Sequence, residues 1–182
     1  MAKKRIVITG GPGTGKTSII NKLEASDFFC FHEIIRDMTK EILKNNVIDS
    51  NPIISVSDPY QFNSMILNGR IDQFKKGLSQ EDTLIFYDRG IPDVLAYMRY
   101  FDQPIDKLFT DACKENKYDQ VFLLPPWKEI YVEDIGRYES FEQAQEIHNH
   151  LVMMYEKFGY KCHEVPFGSI ENRFNFIIQN IV

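Results

Sequence analysis

The sequence predicts an α/β fold: three α/β/α layers, in which a parallel five-stranded sheet carries helices on both faces. Three observations predict it. Strand-like and helix-like runs alternate along the 182 residues. The strand runs, such as Arg5-Ile6-Val7-Ile8-Thr9 and Thr83-Leu84-Ile85-Phe86-Tyr87, are apolar almost throughout rather than alternating, as strands buried on both faces must be. The first strand passes directly into a glycine-rich turn and then into helix-forming sequence.

The elements follow in order. Residues 5–9 form the first strand, and residues 17–24 the first helix. Residues 28–32 read as a short second strand. Residues 33–46 carry Ile34, Ile35, Met38, Ile42 and Leu43 at helical spacing. Residues 51–59, with two prolines and several serines, read as a loop. Residues 60–78 are a third helical pattern, with Phe62, Met65, Ile66 and Phe74 on one face. The strand at 83–87 follows, then helices at 92–101 and 105–115. The strand at 120–124 is stopped by Pro125-Pro126. Residues 127–139 are irregular and charged. Ser140-Phe141-Glu142-Gln143 is a capping box opening a helix to about residue 158. A last strand at 161–165 precedes a helix capped by Ser169 and running through residue 178. No repeat or low-complexity linker divides the chain, so residues 1–182 are expected to form one domain.

Composition excludes several classes. A net charge of −5 gives no general attraction for nucleic acid. No apolar run is long enough to span a bilayer, and the basic start Met1-Ala2-Lys3-Lys4-Arg5 is not followed by an apolar signal core. Cys30, Cys113 and Cys162 are widely spaced and odd in number, which fits reduced packing residues and a cytoplasmic protein. A monomer or homodimer is expected.

The glycine-rich turn carries the chemistry. Gly10-Gly11-Pro12-Gly13-Thr14-Gly15-Lys16-Thr17 fits Gly, four residues, Gly-Lys-Ser/Thr, between a strand and a helix. Glycines let the backbone curl so that amide N–H groups point inward at phosphate oxygens, and the following helix N-terminus favours an anion. Gly11, Pro12, Gly13, Thr14, Gly15, Lys16, Thr17 and Ser18 are therefore the expected nucleotide cradle. Lys16 would reach the outer phosphates, and the Thr17 hydroxyl would take a place on Mg²⁺.

Other candidates stand at strand ends. Asp88 follows the strand at 83–87 and could hold Mg²⁺ across from Thr17, or cap the next helix. It is followed by Arg89 rather than by the glutamate that would polarise a hydrolytic water, which favours transfer to a bound acceptor over hydrolysis. Glu33, at the end of the second strand, could take a proton from an attacking hydroxyl. Arg36 could hold an anionic part of the acceptor or pair with Glu33. Arg89 would position the acceptor. Arg137 could close over the phosphates, with Tyr131 and Tyr138 stacking on a base or simply packing. Arg70 and Gln73 share a helix face and could reach an acceptor; Asp93 could bind an acceptor hydroxyl or cap its helix. His148 and His150, two apart on a helix, are poor metal ligands, and His32 and His163 read as structural. Asn116-Lys117-Tyr118-Asp119 matches a guanine-reading pattern but precedes a strand instead of following one, so it sits at the wrong sheet edge. ATP is preferred to GTP.

Residues 10–18, Glu33 with Arg36, Asp88-Arg89-Gly90-Ile91-Pro92-Asp93 and the Arg137 loop together resemble the P-loop kinase-like NTPases. More closely, the chain is similar to small AAA-type ATP-binding proteins that resemble the ribosylnicotinamide kinase domain and, more distantly, deoxynucleoside kinases. Residues 118–127, 140–147 and 165–169 share the likeness, so it covers nearly the whole chain. The resemblance implies strand order 2-3-1-4-5, a lid at about residues 127–140 around Arg137, and an adenine site near residues 166–170. It implies that Glu33 matches the general base of deoxynucleoside kinases. Their Glu-Arg-Ser motif stands here as Asp88-Arg89-Gly90, different at two of three positions, and the lid has one arginine where kinase lids often have more.

Together these readings predict an ATP- and Mg²⁺-dependent phosphotransferase acting on a small-molecule acceptor: a nucleoside, riboside or nucleotide. The alternative is an ATP-binding switch that hydrolyses slowly and acts through a protein partner.

Overall fold

A computed structural model describes residues 3–35, 58–131 and 139–182. The expected sheet is present, with five strands in the order β2-β3-β1-β4-β5. These are β1 (Lys4–Gly10), β2 (Phe29–Phe31), β3 (Leu84–Asp88), β4 (Gln120–Leu124) and β5 (Cys162–Glu164), and every neighbouring pair is parallel. The described helices are α1 (Lys16–Glu24), α2 (Pro59–Leu78), α3 (Ile91–Tyr100), α4 (Lys107–Glu115), α5 (Phe141–Lys157) and α6 (Ile170–Gln179), with a 3₁₀ turn at Lys128–Ile130. The predicted helix at 33–46 is described only at its start, and the loop at 51–59 only at its end.

Apolar residues on the two sides of the central strands build two separate cores. Val7, Tyr87, Val121 and Leu123 pack against α2, α3, α4 and α5. Ile6, Ile8, Phe86, Phe122 and Leu124 pack against α1 and α6. This division of each strand's side chains between two helix layers explains why the strand runs had to be continuously apolar. Local signals set the helix starts: Asp58 accepts from the Gln61 amide, Ser169 from the Asn172 amide, and Ser140 and Gln143 form the predicted capping box.

One predicted face is corrected. Met65 does not share the buried face of α2: it is 50% exposed, whereas Phe62, Ile66 and Phe74 are buried. Leu67, Arg70 and Gly77 complete the inner face instead. Gly77 is required there, because a Cβ would fall within van der Waals overlap of the Tyr87 hydroxyl.

The parallel register brings the strand C-terminal ends to one edge. Ile8 lies opposite Asp88, and Gly10 opposite Leu124. Parallel α/β sheets bind ligands at this edge.

Candidate active site

The glycine-rich turn leaves β1 through Gly10, whose φ is +151° and whose Cβ would lie 2.4 Å from the Leu124 carbonyl oxygen. It enters α1 through Gly15, the N-cap, in left-handed conformation at φ +85°. Lys16 folds back over the loop. Its Nζ donates to the Gly11 carbonyl at 2.6 Å, and lies 3.4 Å from Thr14 Oγ1, which itself donates to Gly11 at 3.0 Å. Only 9% exposed, the Lys16 ammonium is pulled down to about 7, first by burial and then by the neighbouring Arg89 charge, against the opposing pull of Asp88, Glu33 and Asp93.

Beside the loop the structure gathers Glu33, Arg70, Arg89 and Asp93, which the sequence scatters over sixty positions. Glu33 leaves the end of β2 and lies between two guanidinium groups. Arg70 Nη2 donates to Oε1 at 3.2 Å, and Arg89 Nε pairs with Oε2. Arg70, on α2, also donates to the Gly90 carbonyl at 2.7 Å. Arg89 stands at the end of β3 with φ +76°, a left-handed conformation that costs a non-glycine residue free energy. Its amide donates to Ile8 O at 3.0 Å, and its Nη1 to Gly10 O at 3.2 Å, which hold it against the glycine-rich loop. Burial alone would lower the Arg89 pKa. Tyr97, Glu33, Asp93 and Asp88 together hold it well above its ordinary value, so the group stays charged.

Asp93 is fully buried, and its carboxylate is saturated. Thr9 Oγ1 and Arg89 Nη1 (3.3 Å) donate to Oδ1; the Gly90 amide (2.9 Å) and Tyr155 OH donate to Oδ2. Burial raises its pKa, but Arg70, Arg89 and the Thr9 and Tyr155 hydroxyls outweigh that and hold it below the usual value. Of its two sequence readings, the helix cap is the one seen: Asp93 is the N3 residue of a capping box on α3. Gln73 is likewise occupied, donating to the His32 carbonyl at 2.8 Å.

Thr17 begins α1 next to Lys16, and Asp88 ends β3 almost fully buried. A hydroxyl and a carboxylate are the oxygen donors that Mg²⁺ takes, with waters and substrate phosphates completing its shell. Among the described residues no group of three His, Cys, Asp or Glu could hold a metal ion. Ser18 is exposed on the first turn of α1. Arg36, Arg137 and Tyr138 lie outside the described residues, as does most of the predicted lid. Tyr131 donates to the Glu139 carbonyl and meets the Phe141 ring edge-on at 5.4 Å. The guanine-like pattern lies at the opposite sheet edge, where Asp119 accepts from Arg5 Nε at 2.9 Å.

Sequence reasoning missed Thr9, Tyr97, Tyr155 and Arg173. Tyr155 sits in the last turn of α5, 62 positions from the Asp93 it contacts, and nothing local marks it. Arg173 did leave a trace, since it stands four residues before the buried Ile177 on the inner stripe of α6. Trp127 and Phe167, beyond the ends of β4 and β5, stack at 5.2 Å and 25°.

A family model described as an AAA domain matches residues 5–173. No curated protein matches the chain. Among solved structures, NadR in complex with NR superposes with a TM-score of 0.74 at 18% identity, over 97% of this chain and 50% of that one. The chain thus spans about half the length of NadR. Deoxyadenosine kinase from M. mycoides, with products dCMP and dCDP, gives 0.67 at 16% identity, covering 97% and 98% of the two chains. Thymidylate kinase from Ehrlichia chaffeensis gives 0.66 at 15%, covering 98% of each. The fold is that of P-loop nucleoside and nucleotide kinases.

Proposed function

We propose that this chain, which belongs to the AAA domain family, is an ATP- and Mg²⁺-dependent phosphotransferase whose acceptor is a nucleoside, riboside or nucleotide. The observation that carries the reading is the position of Glu33. Its carboxylate stands at a strand C-terminus and is tied through Arg89 to the carbonyl of Gly10, at the mouth of the phosphate loop. A base held there can receive the proton of an acceptor hydroxyl, while the triphosphate lies in the loop.

Each residue then has a role. The loop residues Gly11, Pro12, Gly13, Thr14, Gly15, Lys16, Thr17 and Ser18 cradle the donor phosphates. Lys16 releases the Gly11 carbonyl and takes phosphate oxygens. Thr17 and Asp88 would hold Mg²⁺, which would supply charge neutralisation on the phosphates when bound. Arg70 and Arg89 orient Glu33 and the acceptor, and Arg36 and Arg137 would complete the acceptor site and the lid. Asp93 acts through Arg89, as a positioning residue. The Trp127–Phe167 stack supports a base-binding site at the ends of β4 and β5. Catalysis of this kind comes from positioning and charge stabilisation.

The NR bound to NadR and the dCMP bound to deoxyadenosine kinase guide the choice of acceptors to test. ADP release is measured with a panel of nucleosides, ribosides and nucleoside monophosphates. At least one should raise it above the acceptor-free rate, and Glu33→Gln should remove that increment. If none raises it and Glu33→Gln leaves the basal rate unchanged, the kinase reading fails.

A further inference from the structure

Arg173 is 3% exposed, and its guanidinium lies against the phosphate loop from the α6 side. Nη2 donates to the Thr14 carbonyl at 2.9 Å, and Nη1 lies 2.8 Å from where a Cβ on Gly15 would stand. Nε makes no hydrogen bond. Among the described residues no carboxylate reaches ion-pair distance of it. The helix that carries it is fixed: α6 packs on α1, Lys22 pairs with Glu171 at 2.8 Å, and Lys22 also lies 5.3 Å over the Phe174 ring.

A buried cation with one hydrogen bond and, among the described residues, no counterion is an unfavourable arrangement. Burial pulls the guanidinium below its ordinary pKa, as expected where no anion offsets desolvation. The loop it touches is built to receive an anion. We propose that Arg173 is a further residue of the donor site, a built-in positive charge whose counterion is the phosphate chain of the bound nucleotide. It braces Thr14; with nucleotide bound, its charge is compensated. The inference rests on the donor reading above and deepens it.

The test compares wild type with Arg173→Met and Arg173→Lys in two measurements: melting temperature without ligand, and affinity for ATP, ADP and inorganic tripolyphosphate. Arg173→Met should melt at or above the wild-type temperature, because the uncompensated charge is gone. It should bind ATP and tripolyphosphate about tenfold more weakly, the loss expected for one charge-assisted contact. Arg173→Lys should recover part of the tripolyphosphate affinity. The KM for ATP should rise while the KM for the acceptor stays put. If Arg173→Met binds both ligands as wild type does, the inference fails and the residue is only a strut. If Arg173→Met melts lower and binds weakly, the lysine variant decides: recovered tripolyphosphate affinity supports the charge role, and no recovery overturns it. Wild type that binds neither ATP nor tripolyphosphate sinks the donor reading itself, and this inference with it. Wild type that binds both but transfers phosphate to no acceptor removes only the kinase reading.

Discussion

Arg89 and Glu33 are ion-paired through Nε and Oε2 while the same guanidinium donates to Gly10 at 3.2 Å, so one side chain spans from the proposed base to the phosphate loop. That span depends on a backbone at φ +76°, which β3 alone would not adopt. Two hydrogen bonds to β1, from the Arg89 amide and from Nη1, offset the strain.

Arg89→Lys should therefore not be conservative. A lysine cannot address Glu33, Asp93 and Gly10 at once, since its ammonium lacks the planar fork. Acceptor-dependent kcat should fall by about 100-fold or more, in line with loss of one preorganised charged group. The KM for ATP should change by much less. Steady-state kinetics with separate variation of ATP and acceptor checks the split.

Lys16 makes a pH prediction. Its pKa is lowered from 10.5 to about 7 by burial and the Arg89 charge, so at pH 8 much of the group is neutral in the folded protein. A bound phosphate favours the ammonium, so nucleotide binding at pH 8 should take up a proton, and affinity should weaken as pH rises from 7 towards 9. Titration calorimetry in two buffers of different ionisation heat gives the proton count directly. For stability the sign runs the other way: the cost of the buried ammonium is fully present below about 7 and fades as pH rises towards 10.5. Lys16→Met should abolish both effects, along with most nucleotide binding.

Asp93 and Tyr155 form a buried pair that supports Arg89 from behind. Tyr155→Phe leaves Oδ2 with only the Gly90 amide and should cost about 1–2 kcal/mol in denaturant unfolding. Asp93→Asn removes the charge facing Arg89 and Arg70 and should cost about 3 kcal/mol. Because the Asp93 pKa lies below 3.8 in the folded protein, its stabilisation is present above that value and is lost as pH falls through the lowered one. The acid limb of the wild-type stability curve should flatten in Asp93→Asn.

Much of this site could be read from the sequence, because its parts announce themselves locally. The loop at residues 10–17 is a contiguous pattern, and Glu33 and Asp88 each follow a strand, so the sheet edge they share follows from parallel topology. What lay hidden is set by packing between helices. Asp93 could be named but not assigned, since the choice between helix cap and acceptor ligand depends on Thr9 and Tyr155, which arrive from β1 and α5. Met65 was misplaced for a similar reason: at 3.6 residues per turn it borders the inner stripe, and the polar Arg70, turned inward to reach Gly90 and Glu33, shifts that stripe away from it. Arg173 broke the apolar pattern of α6, which is the kind of local inconsistency that marks a functional or strained position.

The Trp127–Phe167 stack lets the proposed base recognition be tested apart from phosphate recognition. Phe167 is 55% exposed although it is stacked on Trp127, so one aromatic face is left to solvent beyond the end of β5. An aromatic face can take a nucleobase with little regard to its identity, and such stacking is worth about 1–3 kcal/mol by alanine substitution. Phe167→Ala should accordingly weaken ATP binding by about tenfold, or somewhat more, and weaken GTP similarly. Inorganic tripolyphosphate has no base, so its affinity should not change. The side chain is surface-exposed, and its loss should leave the melting temperature within about a degree or two of wild type. Equal weakening of ATP and tripolyphosphate would mean that Phe167 acts by holding the loop, and the base would then have to be sought elsewhere along the β4 and β5 edge.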